Sequence, residues 1–288
     1  MTAAADFYTV IGNPIAHSRS PWLHQQFAEQ TQQALRYERS LLPLDGFNNG
    51  LAQLRSSGLL GCNVTMPFKA DAFALAQWHS PAALLAQACN TLWWDAGVLK
   101  AHNTDGVGLV RDITVNAAYA LAGKRLLIVG AGGASAGILG PLIEAGCSHI
   151  HIANRSESRA LALVQSHQAL ATAHTCTLCA GSLKALNAQS DLQAFDVVIN
   201  ASAASLGGQR IALPPACVGA HTVAIDLAYG PASRVFLDWA ATCGATTRDG
   251  LGMLVEQAAA SFYIWRGVRP NTTDVLQRLR VIVDTPNA

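Results

Sequence analysis

Short apolar runs, each closed by glycine, proline or a polar cluster, recur along the 288 residues and predict alternating strands and helices. Residues 7–11 read as a buried strand closed by Gly12-Asn13-Pro14, and Pro21 suits the first turn of a helix through His24, Phe27 and Ala28. Residues 37–42 predict a strand, 46–56 a helix, and 61–69 a strand that Pro67 ends in a loop. The stretches 88–94 and 98–101 flank Asp95-Ala96-Gly97 in the manner of a hairpin. A helix is expected from the polar cluster 102–108 as far as Ala120. Further along, 126–129, 149–153, 195–199 and 222–229 are apolar enough to be covered on both faces, as parallel strands are. Helices are expected over 159–169, 249–259 and 270–280. The pattern is that of an α/β protein.

Residues 126–137, LLIVGAGGASAG, combine an apolar strand, a glycine turn and a helix start, the context that a dinucleotide-binding fingerprint requires. Gly130 permits the tight turn and Gly132 lets the backbone approach a pyrophosphate at the helix N-terminus, with Ala131, Gly133 and Ala134 completing the cradle. Ser135 stands at the third fingerprint position and is small enough for close helix–strand packing. An NAD enzyme places an acid at the end of the next strand to bind the ribose 2′-hydroxyl. Here that strand ends in Asn154-Arg155-Ser156, with Arg159 beyond, an uncharged amide followed by guanidinium groups that suit a 2′-phosphate. The reading is an NADP site.

Composition narrows the class. With 51% hydrophobic and 13% charged residues the chain should be compact and ordered, and it is long enough for two domains. A formal net charge of +1 argues against nucleic acid or an anionic membrane as the main partner. The opening MTAAADFYTV lacks the basic start and apolar core of a signal peptide. The uncharged run 126–143 approaches transmembrane length, yet its glycines and Pro141 fit a soluble strand–turn–helix better. Seven cysteines, odd in number and mostly scattered, fit reduced thiols in a cytoplasm. His174 with the Cys176–Cys179 pair falls short of a four-ligand zinc site, and alternation along a strand explains the spacing, so no metal is expected.

Several polar residues stand near strand carboxyl ends, where open α/β sheets bind ligands. Asn63, Thr65 and Lys69 follow one strand, and Lys69 reads either as a catalytic amine or as a surface lysine. Ser18 and Ser20, beside a helix start, suit helix capping and a carboxylate ligand equally. Thr104 or Asp105 suits the N-cap of the next helix. Gln257, polar amid apolar neighbours, needs partners from the core or from a ligand.

Together the blocks GNPIAHSRSPWLHQQF, NVTMPFK, CNT, NTDGVG, GAGGAS, NRS, DLAY and DGLGMLVEQAA, in this order and nearly end to end, resemble the shikimate dehydrogenase family. The resemblance implies an N-terminal α/β substrate domain over residues 1–105, completed by C-terminal helices over 250–288, and a Rossmann-type NADP-binding domain over 106–249. It implies NADPH-dependent, reversible reduction of 3-dehydroshikimate to shikimate, in chorismate and aromatic amino acid biosynthesis, with Lys69 and Asp105 as the catalytic pair. Such a reaction needs a positioned base to take a proton in oxidation and an acid to return it in reduction. By the same resemblance Ser18 and Ser20, helped by Tyr229, hold the substrate carboxylate, while Thr65, Asn90, Asp105 and Gln257 read the hydroxyls. Leu227 and Gly250 join the cofactor contacts. The implied partner is a small molecule, shikimate or 3-dehydroshikimate, bound by a monomer or homodimer with no nucleic acid or membrane involved.

Three places depart from the family pattern. Ala136 stands where many relatives carry a basic residue, Ser156 replaces a common threonine, and Ala203-Ala204-Ser205-Leu206 follows Asn200-Ala201-Ser202 where glycine is frequent. The first is expected to remove a phosphate contact and the third to alter the loop flanking the nicotinamide. Two rival functions differ in class. One is a quinate/shikimate dehydrogenase with wider substrate or NAD use, against which Asn154-Arg155 and Arg159 count. The other is a non-catalytic cyclitol-binding regulator, against which retention of both Lys69 and Asp105 counts.

Overall fold

In the computed structural model, which describes residues 5–285, the strands assort into two six-stranded sheets. The first begins with β1 (Asp6–Gly12), α1 (Ser20–Thr31), β2 (Leu35–Leu41), α2 (Phe47–Ser56) and β3 (Leu59–Val64), and β1 lies parallel between β2 and β3. From Phe7 onward every residue of β1 is buried, so the strand reads as a continuous run rather than an alternation. Next, α3 (Lys69–Leu75), β4 (Trp78–His79) and α4 (Pro81–Ala86) lead into the hairpin of β5 (Thr91–Asp95) and β6 (Val98–His102). Its turn takes φ of 48° at Ala96 and 83° at Gly97, the paired positive values that match the twist of a tight hairpin. The sheet order is β2-β1-β3-β5-β6-β4, antiparallel across β3–β5 and β5–β6.

From this sheet α5 (Asp105–Arg111) leads away and runs into a π-helical turn, Asp112–Asn116, which stops short of the expected Ala120. The widened turn brings Asn116 Nδ2 to Asp112 Oδ1 at 3.0 Å and Glu256 Oε1 at 3.2 Å, and Ala118 then takes a left-handed φ of 49° that ends the helix.

The second sheet is built from β7 (Arg125–Val129), α6 (Gly133–Glu144), β8 (His149–Asn154), α7 (Glu157–Ala173), β9 (Thr177–Ser182), α8 (Leu183–Asn187), β10 (Val197–Asn200), β11 (Val223–Asp226), α9 (Arg234–Thr242) and β12 (Thr246–Arg248). All its pairings are parallel, in the order β12-β11-β10-β7-β8-β9. The winding reverses between β7 and β10, so a crevice opens at their carboxyl ends, as in dinucleotide-binding folds. α7 exceeds the expected helix at both ends, whereas β11 stops at Asp226, where the carboxylate accepts the Ala228 N–H at 2.8 Å and turns the chain.

The chain then returns as α10 (Leu251–Arg266) and α11 (Thr273–Asp284). Leu251, Val255, Ala258 and Phe262 are buried together with Leu23 and Phe27 of α1, so the last helices share a core with the first sheet's side. Ion pairs brace the two crossings between sheets: Arg111 to Glu256 at 2.9 Å, Arg248 to Asp112 at 2.5 Å and Arg280 to Asp249 at 2.5 Å. Asp112 and Glu256 are almost fully buried; an Arg248 fork and the Asn116 amide partner the first, and Arg111 Nε, the Asn116 amide and the Thr272 hydroxyl the second.

Candidate active site

The carboxyl ends of β3 and β6 and the amino end of β5 meet the start of α5, and there Lys69 Nζ donates to Asp105 Oδ2 across 2.5 Å. Lys69 opens α3 after the chain leaves β3 through Met66-Pro67, and its carbonyl accepts the Cys89 N–H at 3.1 Å. That bond ties the start of α3 to the segment entering β5. Asp105 opens α5, with its N–H on Asn103 Oδ1 at 3.1 Å. Thr104 occupies the N-cap position without a side-chain cap bond, because its hydroxyl is turned into a buried polar network. The side chains of Lys69 and Asp105 are 21% and 8% exposed, so the pair faces a cleft rather than open solvent.

Asn90 orients the carboxylate from the other side. Its Nδ2 donates to Asp105 Oδ1 at 2.8 Å and to Thr104 Oγ1 at 2.9 Å, with Gln257 Oε1 at 3.2 Å. Its Oδ1 accepts the Thr104 N–H at 2.9 Å and the Thr91 hydroxyl at 2.9 Å. Behind it, Asn63 Nδ2 donates to the Asn90 carbonyl at 3.0 Å and to Ser261 Oγ at 2.9 Å, while its Oδ1 accepts from the Tyr37 hydroxyl at 2.7 Å. Burial raises the Tyr37 phenol well above its ordinary value, against the opposing pull of Ser20. A continuous polar chain therefore joins Tyr37 to Asp105 through Asn63 and Asn90. Such networks hold their members in one geometry because each buried group has a partner.

Neither Ser18 nor Ser20 caps α1: the N-cap position is Arg19 and no side-chain cap bond forms. Ser18 Oγ accepts the Ser20 N–H at 3.3 Å and donates to Ser20 Oγ at 3.2 Å, and Arg39 of β2 grips the Ser18 carbonyl with two bonds of 2.9 and 2.6 Å. The capping alternative is thus not realised, and the two hydroxyls sit on a braced loop. Burial pushes the Tyr229 phenol up against the pull of Arg19, whose charge lies close enough to act on it. Thr65 is half-buried just past β3, its N–H on the Ile11 carbonyl at 2.9 Å. Gln257 is 8% exposed; its Nε2 donates to the Leu254 carbonyl at 2.9 Å and its Oε1 points to Asn90.

The crevice of the second sheet holds the glycine turn. Gly130 has φ of 110°, a conformation that favours glycine, and the buried Ser135 hydroxyl donates back to its carbonyl at 2.8 Å. Side chains at Gly132 and Gly133 would meet nothing within 4 Å, so no contact within the chain accounts for glycine there. Bare backbone at the start of α6, flanked by half-buried Ala131 and Ala134, fits a pyrophosphate seated on the helix N-terminus. Ala136 is half-buried against the core of this sheet, one turn into the helix. At the end of β8, Asn154 Nδ2 donates to the Ser156 carbonyl at 2.9 Å and the Ser156 and Ser158 hydroxyls lie 3.0 Å apart. Arg155 and Arg159 are exposed on the same segment, and among the described residues neither pairs with a carboxylate. Two unpaired guanidinium groups beside neutral donors fit a 2′-phosphate. On the far wall Leu227 N–H donates to the Asn200 carbonyl at 3.0 Å and Gly250 N–H to the Ala228 carbonyl at 2.9 Å, which brings the ends of β10, β11 and β12 together.

Sequence reasoning had not singled out Tyr37, Thr91 or Ser261 for the site. Ser261 carries a readable signal, since it stands one helical turn beyond Gln257 on the same face of an otherwise apolar stretch. Thr91 and Tyr37 carry none, because a threonine or tyrosine inside a strand is ordinary.

A doubly wound sheet with a dinucleotide cradle, beside a second sheet that presents a lysine–carboxylate pair, defines a two-domain α/β dehydrogenase. Family models match three stretches: the Shikimate dehydrogenase substrate binding domain over residues 10–92, Shikimate / quinate 5-dehydrogenase over 112–210, and the Shikimate 5′-dehydrogenase C-terminal domain over 250–280. The shikimate dehydrogenase (NADP(+)) of Acidovorax ebreus strain TPSY is 53% identical over 283 residues, covering 98% of this chain and 99% of that one. The chain belongs to the shikimate dehydrogenase family. Among solved structures, an Ael1 enzyme from Pseudomonas putida superposes with a TM-score of 0.87 at 41% identity, covering 99% of this chain and all (100%) of that one. Shikimate 5-dehydrogenase from Thermus thermophilus, in complex with NADP(H) and shikimate, superposes with a TM-score of 0.80 at 28% identity, covering 96% and 98%. Among the described residues no helix is long and apolar enough to cross a membrane.

Proposed function

We propose that this chain catalyses the reversible, NADPH-dependent reduction of 3-dehydroshikimate to shikimate, acting on a CH–OH group in chorismate biosynthesis. The supporting observation is the Lys69–Asp105 pair, fixed by Asn90 and set beside the crevice that fits a 2′-phosphorylated dinucleotide. When bound, NADPH supplies the hydride. Lys69 Nζ moves the proton: it gives one to the substrate oxygen in reduction and takes it back in oxidation. Asp105 holds the amine in place with one oxygen, and with Thr65, Asn90 and Gln257 it reads the ring hydroxyls. Ser18 and Ser20, helped by Tyr229, hold the substrate carboxylate through neutral donors, which confer direction more than charge. Gly130, Ala131, Gly132, Gly133 and Ala134 seat the pyrophosphate, Asn154, Arg155, Ser156 and Arg159 the 2′-phosphate, and Leu227 and Gly250 line the far wall.

The substrate domain then comprises residues 1–105 completed by 250–288, and the cofactor domain 106–249. The cytoplasm suits the chain, because all seven of its cysteines are free thiols. NADPH consumption with 3-dehydroshikimate tests the proposal, repeated with NADH and run in reverse with shikimate and with quinate. Turnover should be fast with NADPH and 3-dehydroshikimate and, in reverse, with NADP+ and shikimate, and much slower with NADH or quinate. No turnover of 3-dehydroshikimate by the folded protein overturns it.

A further inference from the structure

At the switch point of the second sheet lies a buried carboxylate that no step above uses. Asp226, at the end of β11, is 0% exposed and has no arginine or lysine partner among the described residues. It is satisfied by neutral donors alone: Asn200 Nδ2 at 2.8 Å and Ser205 Oγ at 2.5 Å on one oxygen, and the Ala228 N–H at 2.8 Å on the other. Burial accordingly pushes its carboxyl up, against the pull of those hydrogen bonds. Asn200 also donates to Ser205 Oγ at 2.7 Å, and its Oδ1 accepts both the N–H and the hydroxyl of Ser202, at 3.0 and 2.7 Å. One amide and one carboxylate thus tie down three segments: the end of β10, the loop after it, and the turn leaving β11.

The same loop passes directly over the fingerprint. A Cβ on Gly130 would stand 3.1 Å from the Ser202 N and 3.2 Å from the Ala201 carbonyl, so any shift of the loop is felt at the glycine turn. The turn leaving β11 carries Leu227 and Ala228, and the Ala228 carbonyl holds the Gly250 N–H at 2.9 Å. Both walls of the crevice between β7 and β10 are therefore referenced to one buried cluster. Ser205 is the loop residue whose side chain reaches Asp226 directly.

We infer that Ser205 is a positioning residue: its hydroxyl latches the 201–208 loop to Asp226 and thereby sets the affinity of the crevice for NADP(H). The latch rests on the reading that NADP(H) occupies this crevice. It touches no reacting atom, so its loss should act on the cofactor and leave the distant substrate contacts at Ser18, Ser20 and Gln257 alone. An unsatisfied buried carboxylate is costly, so the loop or the Asp226 turn must move when the hydroxyl is removed.

NADPH binding by fluorescence titration, together with separate KM values for NADPH and 3-dehydroshikimate, tests this in the unaltered protein, Ser205→Ala and Ser205→Thr. Loss of one hydrogen bond to a charged group, of which only part is transmitted to the crevice, predicts a Kd and KM for NADPH raised by about 5–20-fold in Ser205→Ala. The KM for 3-dehydroshikimate at saturating NADPH should change less than about 2-fold, because its contacts lie in the other domain. Ser205→Thr, which keeps the hydroxyl, should recover most of the NADPH affinity. If Ser205→Ala fails to fold, Ser202→Ala, which removes only the loop hydroxyl held by Asn200, should show the same selectivity with a loss of about 2–5-fold. Unchanged NADPH affinity in the folded variant, or equal losses for both substrates, overturns the latch while leaving the activity intact. Failure of the unaltered protein to bind NADPH overturns the cofactor reading, and the latch with it.

Discussion

A Cβ placed on Gly137 of α6 would stand 3.3 Å from Asp105 Oδ2, the oxygen that accepts the Lys69 proton, and 3.0 Å from Asn103 Nδ2. The helix whose N-terminus forms the dinucleotide cradle therefore runs, one turn later, against the proposed catalytic carboxylate. Contacts of that length are tighter than ordinary packing, so a methyl group would displace Asn103 and Asp105 by a few tenths of an ångström.

Gly137→Ala should accordingly lower kcat while leaving the glycine turn intact. Misplacement near reacting atoms is steep in its effect, and a loss of roughly 3–30-fold in kcat is expected, with little change in the KM for NADPH. Steady-state kinetics of the alanine variant would decide it. An unaltered kcat would mean that Asp105 tolerates the displacement.

Lys69→Ala should lower kcat by about 10²–10⁴-fold, the usual contribution of a positioned acid or base. Substrate affinity should fall much less, because Ser18, Ser20, Asn90 and Gln257 remain. Asp105→Asn keeps the shape and removes the charge, so both kcat and KM should suffer. Since the two side chains share one hydrogen bond at 2.5 Å, the double variant should cost less than the two single losses combined. Additive losses, or a Lys69 variant impaired only in KM, would make Lys69 a binding residue.

Cofactor choice should reside in Arg155 and Arg159. Replacing both with alanine removes charge-assisted bonds that contribute about 1.5–3 kcal/mol each, so NADPH should weaken by orders of magnitude while NADH is nearly unaffected. Binding titrations with both cofactors measure this directly. Equal weakening of the two would place the 2′-phosphate elsewhere.

His24 predicts a pH dependence of stability. It is fully buried, stacked on Tyr37 with ring centroids 4.1 Å apart, with Nε2 3.2 Å from Asn63 Oδ1 and, among the described residues, no partner for Nδ1. Burial lowers its pKa from 6.5 to about 3, although the Asn63 bond favours the charged form. Between those values the unfolded chain binds a proton that the folded chain refuses. The His24 contribution is therefore complete above about pH 6.5 and is lost progressively as the pH falls towards 3. The loss between pH 7 and pH 5 is about 2 kcal/mol. Burial shifts His102, His151 and His167 the same way, so the useful comparison is with His24→Phe. Denaturant unfolding at the two pH values should show a shallower dependence in the variant; parallel dependences would show that His24 is protonated in the folded protein.

What the sequence by itself determined was local. The buried strands β1, β7 and β10 were legible because covering both faces leaves a continuous apolar run. The hairpin turn and the glycine cradle were legible because each depends on backbone geometry over three or four residues. β4 and α4 were not, since two and six residues are too few to display a period. Helix ends were misjudged wherever a distant partner decided them, as at Asp112, whose Arg248 partner lies 136 residues away. Tertiary structure alone decided the site's contacts. Lys69 meets Asp105 across 36 residues because the chain enters β5 against the start of α3 and leaves β6 directly into α5. Ser18 and Ser20 suit a cap or a ligand equally along the chain, and only the fold shows that neither caps α1 while Arg39 grips the Ser18 carbonyl. Asn63 finds Ser261 across 198 residues because α10 returns to the first sheet after the entire second sheet has been built. A side chain's neighbours along the chain fix its backbone, whereas its hydrogen-bond partners are whatever the packed sheets and helices bring within 3 Å, and no local pattern encodes that.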